Sequence, residues 1–254
     1  MGASDEKPRR GIYLLPNLLT TTALFAGFYA IVAAVDGNFE AAGVAIFVAM
    51  VLDGLDGRVA RLTATESDFG KEFDSLSDMV CFGLAPAVVV YQWGVARLAE
   101  YSVAWGRVGW LVAFLFAVAA AMRLARFNTS PGSQDKRFFV GLASPSAAGM
   151  VAGFVWLSAR HGIAGLGGLA LAFVITAMTA ALMVSNLRYY SFKELNLGSR
   201  ISFPYLLIIP LVLILISLEP PVVLFSMFTG YALSGPAFWL WRRRRGRRQE
   251  TGET

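Results

Sequence analysis

Residues 53–78 read DGLDGRVARLTATESDFGKEFDSLSD. Asp53 and Asp56 fall in one long apolar segment, and Asp74 and Asp78 fall in the next. A carboxylate inside a membrane segment costs about 2.5–3.5 kcal/mol on insertion scales. Four of them left unpaired would cost on the order of 10 kcal/mol, so something must compensate them, and function is the default reading.

Helical geometry indicates what compensates. At about 100° per residue, Asp56 lies about 60° to one side of Asp53, and Gly57 about 40° to the other. Ala60 is about 20° off and Arg61 about 80° off, so all five share one face. Asp74 and Asp78, four apart, stack on a face of their own. A short turn over residues 63–71, containing Gly70, joins the two helices. An antiparallel pair then brings four carboxylates together near one membrane surface. Hard oxygen ligands suit Mg²⁺, Mn²⁺ or Ca²⁺, and two divalent ions roughly neutralise four negative charges. Gly57 and Ala60 leave open space on the same face, and Arg61 adds a cation able to grip a phosphate. Together these features describe a diphosphate site in a membrane.

The composition agrees. Of 254 residues 56% are hydrophobic and 15% charged, with a mean hydropathy of +0.58. A soluble domain carries about 25% charge, so a soluble enzyme, a disordered chain and a nucleic-acid module are excluded as leading ideas. One cysteine and one histidine exclude an intramolecular disulfide and histidine-cluster chemistry. The net charge of +5 does not point to nucleic acid, because its positive residues sit in short loops and a tail.

A crossing needs about 20 apolar residues. Eight segments are expected to be transmembrane helices: roughly 14–35, 40–62, 72–95, 106–127, 143–159, 163–185, 203–218 and 221–241. The fold class is therefore all-α and polytopic. Residues 1–241 form a single transmembrane domain that opens with a polar segment over 1–11, and 242–254 form a basic tail. Pro204 and Pro210 predict a kink in the seventh segment. With both termini placed in the cytoplasm, 19 of the 22 lysines and arginines fall inside, and only Arg97, Arg107 and Arg160 fall outside. That bias supports an even number of crossings and this orientation. The run RRRRGRR at 242–248 reads as an anchor on anionic headgroups, preceded by the interfacial residues Trp239 and Trp241.

The residues Asp53, Asp56, Gly57, Ala60, Arg61, Gly70, Asp74 and Asp78 match D-x2-D-G-x2-A-R-x8-G-x3-D-x3-D without a gap. This resembles the signature of the CDP-alcohol phosphatidyltransferases, whose members join a CDP-linked lipid or headgroup to an alcohol and release CMP. The resemblance implies that Asp53, Asp56 and Asp74 are metal ligands. It implies that Asp78 both contacts metal and acts as general base, and that Gly57, Ala60, Arg61 and Gly70 cradle the cytidine diphosphate. Wider stretches are similar to integral-membrane phosphatidylserine synthases: IYLLPNLLTTTALFAGFYAIV (12–32), MRLARFN (122–128), GLASPSAAG (141–149) and SNLRYYSFKEL (185–195). Ala143 departs from that likeness, standing where a proline is expected. The implied reaction transfers the phosphatidyl group of CDP-diacylglycerol to L-serine, giving phosphatidylserine and CMP. The resemblance also implies a homodimer and a prokaryotic cytoplasmic (inner) membrane, with the site facing the cytoplasm.

Within those stretches Asn17 is a candidate to bond the nucleotide or its phosphates, with an interhelical hydrogen bond as the competing role. Arg123 and Arg126 are candidates for a lipid phosphate or the serine carboxylate, as are Arg188 and Lys193, against simple positive-inside anchoring. Cys81 reads as a small core side chain, and His161 as an outer-loop residue without a catalytic role. Two other functions compete. One is the same chemistry on glycerol 3-phosphate or inositol phosphate. The other is a cation- or proton-coupled transporter, which should show repeats and charge near the bilayer midplane, neither of which is evident in the sequence.

Overall fold

The computed structural model of the chain describes residues 14–63, 67–129, 138–190 and 203–250. The polar segment 1–11, Lys193 and residues 251–254 lie outside them. The helices are α1 (Leu14–Val35), α2 (Phe39–Leu62), α3 (Asp68–Asp78), α4 (Ala85–Trp93), α5 (Val103–Thr129), α6 (Ser144–Arg160), α7 (Leu166–Val184), α8 (Phe203–Leu218) and α9 (Pro220–Glu250). Every one of the eight apolar segments is helical. Among the described residues, five helical runs are long and apolar enough to cross a membrane: Leu15–Val35, Asp68–Trp93, Val103–Thr129, Leu166–Val184 and Pro220–Arg243. The other three have visible reasons for falling short. The α2 helix carries Asp53, Asp56, Arg58 and Arg61, while α6 and α8 have only 17 and 16 residues.

Short connections make the helices alternate in direction. The α1–α2 turn uses Gly37 at φ 78°, a left-handed value open to glycine. Asn38 then caps α2, accepting from the Ala41 N–H at 3.2 Å. Ser67 caps α3 in the same way, accepting from the Gly70 N–H at 3.0 Å. Alternation gathers the start of α1, the end of α2, the start of α3, the end of α5, the start of α6 and the end of α7 at one end of the bundle. The carboxylates lie at that end.

Small residues hold the bundle together. Ala23, Ala26, Ala30, Ala33 and Ala34 of α1 are buried, as are Ala42, Ala45 and Ala49 of α2. Hydrocarbon offers no hydrophobic drive between helices, so close backbone approach must supply the packing. Gly27 shows how close: a Cβ there would lie 2.7 Å from Cys81 Sγ and 3.0 Å from Cys81 Cα. Cys81 is buried in that contact, as its sequence position suggested. Large apolar side chains such as Leu18, Phe25, Phe28, Val51 and Phe114 point outward, as a lipid-facing surface requires.

Three features are absent from the sequence reading. The run from Asp68 to Trp93 is not a uniform α-helix, because Met79–Leu84 form a π-helical turn directly after Asp78. Pro86 explains it. Proline has no N–H, and its ring would press on the Phe82 carbonyl of a regular helix. The wider turn, in which the Ala85 N–H reaches back to the Val80 carbonyl, relieves that pressure. Second, strands β1 (Phe138–Val140) and β2 (Arg188–Tyr190) pair antiparallel, with Val140 opposite Arg188. Third, α9 continues as a helix through the arginine run to Glu250. There Arg242 lies 5.2 Å from the Phe238 ring centre and Arg243 5.0 Å from that of Trp239.

Candidate active site

Asp53, Asp56 and Asp74 each offer a carboxylate oxygen, and these oxygens lie within 4.8 Å of one another. Two come from the last turns of α2 and one from α3, so the helix pair closes as the spacing predicts. The Asp78 carboxyl lies beside that of Asp53 and extends the group. Carboxylates this close repel unless a cation or a proton stands between them. Two oxygens point to a cation. Asp74 Oδ1 and Asp78 Oδ1 are buried and accept no hydrogen bond. A buried acceptor left unpaired is costly, and a hard divalent ion is the partner that an all-oxygen donor set fits. The four residues therefore suit the metal that the sequence pattern implies.

A cavity of about 300 Å³ opens beside the cluster. Asp56, Gly57, Ala60 and Arg61 line it from α2, Gly70 and Asp74 from α3, and Asn17 from α1. The sequence placed these seven in one site, and all seven line this cavity. The glycines act differently. A Cβ on Gly57 would meet nothing within 4 Å, so this position is open space for a ligand. A Cβ on Gly70 would lie 3.1 Å from Ser67 Oγ and 3.5 Å from Asn17 Oδ1, so Gly70 lets α3 start close against α1. Arg61 donates from Nε to its own helix, to the Gly57 carbonyl at 2.8 Å.

Sequence reasoning missed Thr20. It is buried on α1, and its hydroxyl lies 2.7 Å from Asp56 Oδ2 and 3.1 Å from the Pro16 carbonyl. Asp56, only 4% exposed, thereby has a fixed orientation. The one available signal was the spacing of Thr20 from Asn17, a single helical turn along α1.

The candidate arginines separate. Arg123 of α5 is half-buried, donates from Nη1 to Ser144 Oγ at 2.8 Å, and lies within electrostatic reach of Asp78 and Tyr231. Its Nε is buried and unpartnered. Arg126 instead donates to Asn186 Oδ1 at 3.0 Å, which ties the end of α5 to the end of α7. Arg188 is exposed on β2. Asn128, also at the end of α5, donates to Ser75 Oγ of α3 at 2.9 Å. The hairpin is fastened to α9: the Tyr189 hydroxyl donates to the Ala232 carbonyl at 3.0 Å, and Tyr231 donates to the Tyr190 carbonyl at 3.1 Å. Burial pushes the Tyr189 pKa up to about 12, so it donates as a neutral phenol.

These features define an integral membrane protein with a carboxylate cluster beside a polar cavity, at one end of a helical bundle. Residues 13–185 match the CDP-alcohol phosphatidyltransferase family, and the chain belongs to it. The chain is 38% identical over 236 residues to a CDP-diacylglycerol–serine O-phosphatidyltransferase of Helicobacter pylori, covering 92% of this chain and 94% of that one. It is 40% identical over 161 residues to a Mycobacterium tuberculosis protein of the same name, covering 61% of this chain and 54% of that one. It is 32% identical over 187 residues to the archaetidylserine synthase of Methanothermobacter thermautotrophicus, covering 73% of each.

Proposed function

We propose that this chain transfers the phosphatidyl group of CDP-diacylglycerol to L-serine, forming phosphatidylserine and CMP. The observation that carries the proposal is the likeness to the Helicobacter pylori enzyme, which runs along nearly the whole of both chains. The carboxylate cluster and its adjoining cavity supply chemistry that suits the reaction.

The residues divide the work. Gly57, Ala60, Arg61, Gly70 and Asn17 receive the cytidine diphosphate in the cavity they line. Asp53, Asp56, Asp74 and Asp78 would hold divalent metal, two ions of Mg²⁺ or Mn²⁺ with Ca²⁺ as the alternative. Bound there, metal would neutralise the carboxylates and supply positive charge against that building on the departing CMP. Asp78 takes the proton of the serine hydroxyl, whose oxygen bonds to the lipid-side phosphorus as the bond from phosphorus to the CMP oxygen breaks. An aspartate is a weak base at neutral pH, so close placement must do much of the work. Arg123 pairs with the serine carboxylate, a group that glycerol 3-phosphate and inositol phosphate lack, since their negative charge sits on phosphate. Arg126 and Arg188 belong to the rim of this region.

The same reading extends to topology. Residues 1–241 form one transmembrane domain with eight crossings and both termini cytoplasmic, and residues 242–254 bind anionic headgroups. The site faces the cytoplasm of a prokaryotic inner membrane, and the protein works as a homodimer. The strong loop-charge bias supports the orientation.

The test uses purified protein, CDP-diacylglycerol, Mn²⁺ or Mg²⁺, and L-serine, glycerol 3-phosphate or inositol phosphate. Serine-dependent CMP release with phosphatidylserine as product is the expected result. CMP release only with another alcohol would retain the four-aspartate chemistry and discard the serine assignment. No release with any alcohol, from folded protein that binds metal, would revive the transporter reading.

A further inference from the structure

We propose that Ser144, the first residue of α6, positions the Arg123 guanidinium for the carboxylate of the acceptor alcohol. The inference rests on the serine reading above and adds a residue that acts through Arg123.

The packing of α5 sets Arg123 at the level of Asp78. A Cβ on Gly83 would lie 3.3 Å from Ala120 Cβ. Asn128 donates to Ser75 Oγ at 2.9 Å. These two contacts bracket the facing runs: Arg123 lies between Ala120 and Asn128, and Asp78 lies between Ser75 and Gly83. Arg123 follows Ala120 by three residues and so shares its face of α5. An amino acid whose hydroxyl meets Asp78 keeps its carboxylate close by, where a cation at this level can bind it.

Ser144 decides where that cation points. Arg123 is half-buried, and its Nε is buried without a hydrogen bond. Only Nη1 and Nη2 are left to meet a ligand. Ser144 Oγ accepts from Nη1 at 2.8 Å. The guanidinium is planar, so fixing one terminal nitrogen fixes the direction of the other. Ser144 is fully buried, and the chain that leads to it is held firmly. The Leu142 N–H donates to the Leu182 carbonyl at 3.0 Å, and the Gly141 N–H to the Leu187 carbonyl at 2.8 Å. These bonds seat the entry to α6 on the end of α7 and the residues just after it. Gly141 has φ 80°, and a Cβ there would run into the Met183 carbonyl, so the seat requires glycine. A serine hydroxyl at a helix start commonly caps the helix. Here Ala143 holds the cap position without a side-chain bond, and the Ser144 hydroxyl serves Arg123.

The test compares wild type, Ser144→Ala, Ser144→Cys and Ser185→Ala in the same micelles, with kcat and both KM values measured. Ser144→Ala removes the acceptor, and Ser144→Cys fills the same space with a weak one. In both, KM for L-serine should rise about tenfold, the typical effect of one hydrogen bond to a charged group, while KM for CDP-diacylglycerol stays within about twofold. Ser185 bonds the Leu182 carbonyl at 2.8 Å, at the same junction but away from Arg123. Ser185→Ala should keep both KM values. A cycle with Arg123→Lys is read by calorimetric binding of L-serine, which needs no turnover. Adding Ser144→Ala to Arg123→Lys should weaken serine binding no further than about twofold. An unchanged serine KM in the Ser144 variants would overturn the inference. So would an equal rise in both KM values, the same rise in Ser185→Ala, or a full tenfold loss repeated on Arg123→Lys. Wild type that consumes another alcohol and not serine would instead overturn the reading on which the inference rests.

Discussion

The Thr20 hydroxyl lies 2.7 Å from Asp56 Oδ2 and ties α1 to the carboxylate cluster of α2 and α3. Asp56 is the most buried of the four aspartates, and Thr20 is the hydrogen-bond donor from α1 that orients it. Partners that orient metal ligands typically matter 10–100-fold in metal affinity or activity. Thr20→Val, nearly isosteric, should therefore raise the Mn²⁺ concentration for half-maximal activity about tenfold or more, and Thr20→Ser should restore it. A Thr20→Val protein with the wild-type metal response would limit Thr20 to packing.

Metal should stabilise the fold as well as support turnover. A ligand at 100 times its dissociation constant adds about 2.7 kcal/mol to the folded state. Thermal unfolding of the chelated protein should show Tm rising on Mn²⁺ addition. Asp74→Asn removes one of three carboxylates whose oxygens lie within 4.8 Å. It should raise Tm without metal, by roughly 2–4 °C for each kcal/mol of repulsion relieved, and flatten the Mn²⁺ response. A lower metal-free Tm with an intact response would mean that Asp74 is not a ligand.

Asp78→Asn should nearly abolish CMP release while CDP-diacylglycerol still binds in a metal-dependent way. The amide keeps the shape and loses the basicity. Loss of lipid binding together with turnover would assign Asp78 to ligation alone.

Gly57→Leu isolates the cavity from the fold. Nothing lies within 4 Å of the added Cβ, so the protein should keep its Tm. The side chain would occupy the space beside Asp56 and Ala60, and CDP-diacylglycerol binding should fall by at least tenfold. Normal binding would remove Gly57 from the cradle.

Ala143→Pro tests the one departure from the expected loop sequence. Ala143 has φ −63° and ψ 135°, which a proline ring prefers, and it precedes the first turn of α6. The replacement should stabilise by about 0.4–1 kcal/mol through the unfolded chain, read as a modest rise in Tm. A fall would show that the Ala143 N–H is needed.

Much of the site was legible because its signals are local. Asp53, Asp56, Gly57 and Ala60 fall on one face by helical period alone, and Asp74 with Asp78 by a spacing of four. Carboxylates in apolar sequence stand out because hydrocarbon penalises them. The three arginines near the site were indistinguishable in one dimension. Arg123 and Arg126 sit three apart at the end of one helix, yet only Ser144 at the start of α6 and Asn186 just after α7 separate their roles.

Hydropathy and charge settled that this is a helical membrane protein, and the aspartate spacing marked where its chemistry lies, since both follow from short-range periodicity and solvation. Packing decided the rest. Alanine faces and Gly27 set how closely α1 approaches α2 and the π-helical turn, and so brought Thr20 onto Asp56. The hairpin carried Tyr190 to Tyr231 and Tyr189 to the Ala232 carbonyl of α9. Such contacts join residues 36 to 57 positions apart and more, as in Thr20 with Asp56 and with Ser77. No helical period reaches that far, and only close approach of backbones in three dimensions creates them.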